Sequence, residues 1–128
     1  FKDVAAELGV EDSASGMSVT WADYDLDGRQ DLYVSNMFSA AGNRITSQKK
    51  FKPNADLETR ERFQRFTRGN TLFRNTEKGF IDTSAGAGVM MGRWAWGSRF
   101  IDLNNDGWQD LVVANGYLSA ADNGTGDL

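Results

Sequence analysis

The stretch "GMSVTWADYDLDGRQDLYVSN", residues 16–36, decides the fold, because it places an acidic loop between two segments with the pattern of β-strands. Before the loop, Met17, Val19 and Trp21 alternate with polar residues, which is the period of a strand. After the loop, "DLYVSN" combines apolar, aromatic and β-branched residues, as strands do. The stretch therefore predicts two strands joined by a loop that carries four aspartates.

The chain contains this arrangement twice. Displacing the sequence by 79 residues aligns residues 1–36 with residues 80–115 without a gap, and 13 of the 36 positions are identical. We call residues 23–31 the first acidic loop and residues 102–110 the second acidic loop. Repeated units are typical of solenoids and propellers, and the long period predicts such a unit with an insertion.

Length and composition indicate one domain with a packed core, since the chain has 128 residues of which 40% are hydrophobic. Cysteine and histidine are both absent from the sequence. The chain alone therefore cannot build disulfides, zinc sites, cysteine nucleophiles or imidazole bases. No apolar run is long enough to cross a bilayer. Because the sequence begins at Phe1, we expect a processed or excised piece of a longer protein.

The segment between the two acidic loops predicts two further strands and an insertion. "NTLFRNTEKGFIDTS", residues 70–84, has the pattern of two strands around a turn at residues 77–79. The insertion precedes it at residues 37–70. Its centre predicts one short amphipathic helix on the outside of the sheet, with Asn54 or Asp56 as the N-cap and Gly69 as the stop.

The spacing of oxygen-bearing side chains in the acidic loops predicts metal binding. Alternate residues point to one centre and a glycine permits the sharp turn, as in a wrapped calcium loop. Carboxylate, amide and carbonyl oxygens are hard ligands that suit calcium rather than zinc or copper. The candidate ligands are the side chains of Asp23, Asp25, Asp27 and Asp31 with the carbonyl of Arg29, and the side chains of Asp102, Asn104, Asp106 and Asp110 with the carbonyl of Trp108.

Two other interpretations of the acidic loops stay open. Aspartate and glycine are common turn formers, and a hairpin turn can contain them without any metal. A helical EF-hand uses a related spacing, but it needs a bidentate acid at the twelfth position of the loop. That position is Val34 in one loop and Val113 in the other, inside the predicted strands. The sequence therefore favours an ion-binding loop between strands.

Three segments together resemble the FG-GAP or VCBS repeat, as found in the integrin α-subunit propeller and in many bacterial secreted proteins. They are "TWADYDLDGRQDLYVSN", "LFRNTEKGFIDTSAGAGV" and "SRFIDLNNDGWQDLVVANG". They are most similar to the bacterial proteins that often carry an ASPIC/UnbV region, which is not evident in this chain. The resemblance implies an all-β fold, a β-propeller of four-stranded antiparallel blades, with calcium in the loop between the first two strands of a blade.

By its resemblance to this family, the chain is expected to form one full blade and parts of two others, with one short helix in the insertion. The expected organisation is residues 1–36 as the outer strand of one blade and the first hairpin of the next, 37–70 as the basic insertion, 71–84 as the last two strands of the full blade, and 85–128 as the start of a further blade with the second calcium loop and a polar tail. The outer strand is expected near Phe1 to Val4. Neighbouring blades of the same parent chain, or other copies of it, are the expected partners.

The resemblance implies a non-catalytic, calcium-stabilised module for adhesion or recognition, with two calcium ions and an unknown protein or glycan ligand. Calcium sites of modest affinity, roughly 10⁻⁴ to 10⁻³ M, fill outside the cytosol. The expected location is therefore extracellular, on the cell surface or periplasmic.

The alternative function is binding or degradation of acidic polysaccharide, because residues 44–74 carry nine Lys or Arg against three acids while the whole chain has a net charge of −4. A simpler interpretation is a solvated helix whose arginines pair with nearby acids. Nucleic acid is not an expected partner, since the aromatic residues do not interleave with the basic cluster.

Overall fold

A computed structural model describes residues 1–116 and shows a mainly β fold with two antiparallel sheets. Four strands form one sheet in chain order, and two more form a second sheet. The expected all-β class is confirmed at this level. The strands are β1 (Gly16–Ala22), β2 (Asp31–Asn36), β3 (Thr71–Thr76) and β4 (Gly79–Asp82) in the larger sheet, and β5 (Ala95–Ile101) and β6 (Asp110–Asn115) in the smaller one.

Four short helices accompany the strands in residues 1–116: α1 (Ala5–Leu8), α2 (Ala40–Thr46), α3 (Leu57–Thr67) and α4 (Ser84–Ala87). The helix predicted in the insertion is α3, and its N-cap is Asp56, whose carboxylate accepts the Thr59 N–H at 2.6 Å. The prediction of only one helix there was wrong, because α2 precedes it. The sequence signal for α2 is weak, since the helix is seven residues long and contains Gly42.

The outer strand expected near Phe1 to Val4 is not a strand. Residues 1–4 belong to no element, and the Asp3 carboxylate accepts the N–H of Ala5 at 2.9 Å where α1 begins. The repeat explains the difference, because Phe80 to Asp82, the counterparts of Phe1 to Asp3, form β4 by pairing with β3. Among residues 1–116 no strand pairs with residues 1–4, and an isolated strand leaves its backbone groups without ladder partners.

The two sequence repeats have the same local structure. The bounds of α1, β1 and β2 reappear as those of α4, β5 and β6 after a displacement of 79 residues. The registers match as well, since Trp21 pairs with Leu32 in one hairpin and Phe100 pairs with Leu111 in the other. Each hairpin also has a register irregularity near the start of its first strand. The repeat read from the sequence is therefore a structural repeat.

The core lies where the two sheets meet. Tyr33 on β2 is fully buried, its ring packs edge-on against Phe100 at 6.1 Å, and its hydroxyl donates to the Val89 carbonyl at 3.0 Å. Burial raises the pKa of Tyr33 to about 12. Ser18 and Ser98 meet at 3.1 Å across the same junction. The smaller sheet therefore packs against β1 and β2 of the larger one.

Ion pairs hold the insertion to the rest of the fold. Arg65 on α3 contacts Asp12 at 2.9 Å and Asp82 at 3.4 Å, and Arg68 contacts Asp82 at 2.5 Å. The Arg65 guanidinium also lies 5.5 Å from the centre of the Phe73 ring. Burial opposes ionisation of Asp82, but hydrogen bonds from Ser84 and Arg68 outweigh it and lower the pKa of that carboxyl. Asp82 therefore anchors the insertion as a carboxylate.

Replacing Asp82 with Asn is expected to lower the free energy of unfolding by about 1–2 kcal/mol, because two arginines lose their charged acceptor. Urea denaturation measures the loss. Glu61→Gln is the matched control, since Glu61 is exposed and its change is expected to cost less than about 0.5 kcal/mol. Equal effects of the two substitutions would contradict the anchoring role.

The same carboxylate gives a pH dependence. Its folded-state pKa lies below the unfolded value of 3.8, so its contribution is present above about pH 4 and is lost as the pH falls through the folded-state pKa. We expect Asp82→Asn to flatten the dependence of stability on pH below about pH 4. Urea denaturation at a series of pH values checks this, and an unchanged pH profile would contradict it.

Candidate metal centre

The first acidic loop brings three carboxylates together between β1 and β2. One oxygen each of Asp23, Asp25 and Asp27 lies within 4.8 Å of the other two. Among residues 1–116 this is the only group of three or more acidic side chains with such spacing. At roughly 4 Å, two carboxylates repel by about 1 kcal/mol in water and by several times that in a less polar surround. The loop therefore needs positive charge or hydrogen-bond donors.

Backbone amides of the loop supply part of this compensation. The carboxylate of Asp23 accepts the N–H groups of Asp27 and Gly28 at 2.9 and 2.8 Å, and Asp27 accepts the N–H of Arg29 at 2.9 Å. Positive φ angles at Leu26 (58°) and Gly28 (87°) allow the chain to turn back on itself. The loop is therefore wrapped around its own aspartates.

Asp31 occupies a different place from the other three aspartates. It is fully buried at the start of β2, outside the group of three, and its carboxylate accepts the N–H of Asn75 at 2.7 Å and of Tyr24 at 3.2 Å. Burial raises the pKa of Asp31, although both backbone hydrogen bonds oppose the rise. Asp31 thus joins the loop to β3, which lies 44 residues further along the chain.

Two arginines face the first acidic loop. Arg74 on β3 places its Nε 2.5 Å from Asp25 Oδ2 and an Nη 3.6 Å from Asp27 Oδ2. Arg29 contacts Asp27 at 3.2 Å and Glu77 at 3.3 Å. The pKa of the Arg74 guanidinium is raised, and the negative charge of Asp25 is the largest cause. The loop is therefore partly neutralised from within the chain.

The second acidic loop repeats the backbone pattern of the first. Asp102 accepts the N–H groups of Asp106 and Gly107 at 3.1 and 2.9 Å, and Asp106 accepts the N–H of Trp108 at 2.8 Å. The φ angles of Asn105 and Gly107, 57° and 88°, match those of Leu26 and Gly28.

The remaining predicted ligands of the second loop follow the same plan. Asp110 accepts the N–H of Leu103 at 3.1 Å, as Asp31 accepts that of Tyr24. Asn104, the counterpart of Asp25, donates its amide to the Asp106 carboxylate at 2.8 Å. Hydrogen bonds from the Trp108 N–H and from the Asn104 side-chain amide hold the pKa of the Asp106 carboxyl below its usual range.

The donor set of the first loop fits a hard divalent cation. The loop offers carboxylate oxygens and contains no nitrogen or sulfur ligand. Asp25 Oδ1 is buried and has no hydrogen-bond partner, so one ligand-capable oxygen is left without a donor. An ion at this position would be held by Asp23, Asp25 and Asp27, and would supply charge neutralisation rather than acid or base chemistry.

Sequence reasoning missed Arg74, Asn75 and Glu77, which contact the first acidic loop from β3 and from the turn after it. They follow the insertion, more than 40 residues after the loop. Nothing in their spacing signals this contact, because the pairing of β2 with β3 brings them to the loop. The polar tail expected at the end of the chain lies outside the described residues.

No protein-family model matches the chain, and no curated protein or solved structure is significantly similar to it. None of the helices in residues 1–116 is long and apolar enough to cross a membrane.

Replacing Gly28 with Ala is expected to destabilise the chain by about 1–2 kcal/mol, because an L-residue is strained at a φ of 87°. No atom lies within 4 Å of the added methyl group, so the cost comes from the backbone alone. Gly86→Ala in α4 is the matched control, since that site is equally open and helical, and it is expected to be neutral or slightly stabilising. Thermal and urea denaturation measure both variants, and a neutral Gly28→Ala would contradict the strained loop geometry.

Proposed function

We propose that the chain is a calcium-binding β-propeller segment of an extracellular, cell-surface or periplasmic protein, non-catalytic and serving adhesion or recognition. The observation that carries the proposal is the pair of acidic loops, which share ligand spacing, backbone angles and hydrogen-bond pattern at a displacement of 79 residues. A turn that uses aspartate only for its local conformation does not need side-chain oxygens at the same alternate positions twice.

Calcium is the ion that suits these loops best. It takes six to eight oxygen ligands in flexible geometry and combines carboxylates with carbonyl oxygens and water. In the first loop the ligands that the structure brings together are the side chains of Asp23, Asp25 and Asp27, and we propose Asp31 and the carbonyl of Arg29 as the further ligands predicted from the sequence. In the second loop we propose the side chains of Asp102, Asn104, Asp106 and Asp110 and the carbonyl of Trp108.

The role of calcium in this proposal is structural. A divalent cation converts the repulsion among the loop carboxylates into attraction and fixes the turn between the first two strands of each sheet. Sites of this kind fill at the calcium concentrations found outside the cytosol, which supports the proposed location.

The sheet arrangement supports a propeller blade. A four-stranded antiparallel sheet in chain order is followed by a second sheet whose first strand lies beside β1. On the other face of β1, Val19 and Trp21 remain 56% and 52% exposed, and on the smaller sheet Trp96 and Val112 are 47% and 41% exposed. Blades bury such faces against neighbours. Neighbouring blades of the same parent chain, or further copies of this chain, are the proposed partners.

The alternative function, recognition of acidic polysaccharide by the insertion, gains no support from the ion pairs. Arg65 and Arg68 face internal carboxylates, and Arg62 pairs with Glu58 one turn away at 2.7 Å. The positive charges of these three arginines are therefore paired with carboxylates of the chain itself. These contacts favour the simpler interpretation of a helix whose arginines pair with nearby acids.

Titration of the chain with calcium is expected to give two bound ions. Asp27→Ala removes a carboxylate from the first group of three, so we expect one ion to remain bound, and Asp27→Ala combined with Asp106→Ala is expected to bind none. Isothermal titration calorimetry with calcium measures the stoichiometry. Glu61→Gln, a change of the same charge in the insertion, is the control and is expected to keep both ions.

Calcium binding is also expected to stabilise the fold, because a ligand that binds only the folded state raises its stability by mass action. Chelation by EDTA should lower the melting temperature by several degrees, and Asp27→Ala should reproduce part of that loss in the presence of calcium. A melting curve that neither EDTA nor Asp27→Ala changes would contradict the proposed function.

A further inference from the structure

A cationic side chain of the protein itself, that of Arg74 on β3, contacts the first acidic loop. The Arg74 guanidinium reaches Asp25 and Asp27, two of the three aspartates whose oxygens converge. Its Nε lies 2.5 Å from Asp25 Oδ2, so the guanidinium and this carboxylate form an ion pair. The Arg74 side chain is 41% exposed and has room to move toward solvent.

We propose that Arg74 is an intramolecular counter-ion that competes with calcium for Asp25 and Asp27. It keeps the first acidic loop ordered without calcium, and it raises the calcium concentration at which this loop fills. The inference rests on the proposed function, because it assigns a regulator to the same site.

Competition follows from the chemistry of the guanidinium group. Arginine has five N–H donors and no acceptor, so it cannot ligate a metal ion and can only share carboxylates with it. A monovalent and a divalent cation on the same oxygens repel each other by about 1 kcal/mol or more even in water. Calcium therefore either displaces Arg74 from Asp25 or binds there more weakly than it would without Arg74.

Arg29 plays a different part from Arg74. It follows the loop glycine directly, and its guanidinium divides its contacts between Asp27 and Glu77. Glu77 offers Arg29 an acceptor outside the converging carboxylates, so Arg29 does not depend on the loop for its partner. Arg74 is paired only with aspartates of the loop among the residues that the structure describes.

The second acidic loop provides a comparison within the same chain. Its carboxylates, those of Asp102, Asp106 and Asp110, form no ion pair with a residue in the described part of the chain. Asp25 and Asp27 of the first loop, by contrast, pair with the guanidinium groups of Arg29 and Arg74. A change at Arg74 should therefore alter calcium binding at the first loop and leave the second loop as an internal reference.

The experiment is a calcium titration of the 128-residue chain followed by NMR at the amides of Gly28 and Gly107. Each of these N–H groups donates to the first aspartate of its own loop, so the two signals report the loops separately. In Arg74→Gln, the calcium midpoint at Gly28 is expected to fall about tenfold, which corresponds to the repulsion removed. The midpoint at Gly107 is expected to stay within twofold.

Lys50→Gln is the matched control, because it removes one positive charge from an exposed position in the insertion. It should leave both midpoints within twofold of the wild type. Arg74→Lys keeps the charge and should remain within about threefold at Gly28. An unchanged or higher Gly28 midpoint in Arg74→Gln would overturn the inference.

Thermal denaturation separates competition from a merely structural ion pair. Arg74→Gln should melt at a lower temperature than the wild type in EDTA, where the loop loses its counter-ion, and the difference should close in saturating calcium. The same difference under both conditions would show that Arg74 only stabilises the fold, and would overturn the inference.

A measurement on the wild-type chain covers the case in which Arg74→Gln does not fold. The Arg74 Nε–H signal should shift on addition of calcium with the same midpoint as the Gly28 amide, and an Nε–H signal that does not respond would count against competition. If neither Gly28 nor Gly107 responds to calcium, the proposed function itself fails. If the Gly28 and Gly107 amides both respond to calcium but the Arg74 Nε–H signal does not shift, only the role of Arg74 is refuted.

Discussion

The fold depends on one electrostatic constraint, the crowding of carboxylates at the turn between β1 and β2. Three aspartates converge there, and a fourth, Asp31, is buried beside them. A hairpin turn with this charge is unfavourable unless donors and cations surround it. The loop wraps its own amides around Asp23, and β3 contributes the Asn75 N–H and the Arg74 guanidinium. The first turn of the sheet is thus completed by its third strand.

Charge pairing also holds part of the basic insertion in place, at the other end of β2. Arg65 and Arg68 hold α3 to Asp12 and Asp82, so part of the local positive charge is matched inside the protein. Asp12 also accepts the amide of the buried Asn36 at the end of β2. The insertion is therefore tied to the end of β2 that is opposite the first acidic loop, and its sequence charge alone does not indicate an external acidic ligand.

The alternation of residues along β1 defined two strand faces, but it did not tell which face meets the second sheet. Blades of a β-propeller bury apolar faces against their neighbours. Here the small polar pair Ser18 and Ser98 lies at the junction of the two sheets, while Val19 and Trp21 on the other face are about half exposed. Trp21 does pack edge-on against Phe80 at 6.1 Å. Which face of β1 packs against the smaller sheet is thus decided by tertiary packing and not by the alternation along the strand.

The sequence by itself determined the features that depend on neighbouring residues: the strands of both hairpins, the helix capped by Asp56, the repeat, and the loop positions that present oxygen atoms. Alternation, capping and turn geometry act over a few residues, so they can be read along the chain. Only the tertiary structure decided that Phe1 to Val4 form no strand, that Asp31 is buried, and that Arg74 lies at the first acidic loop. Each of these depends on which strands pair, because pairing brings together groups that are distant in sequence. Local sequence patterns do not encode which strands pair.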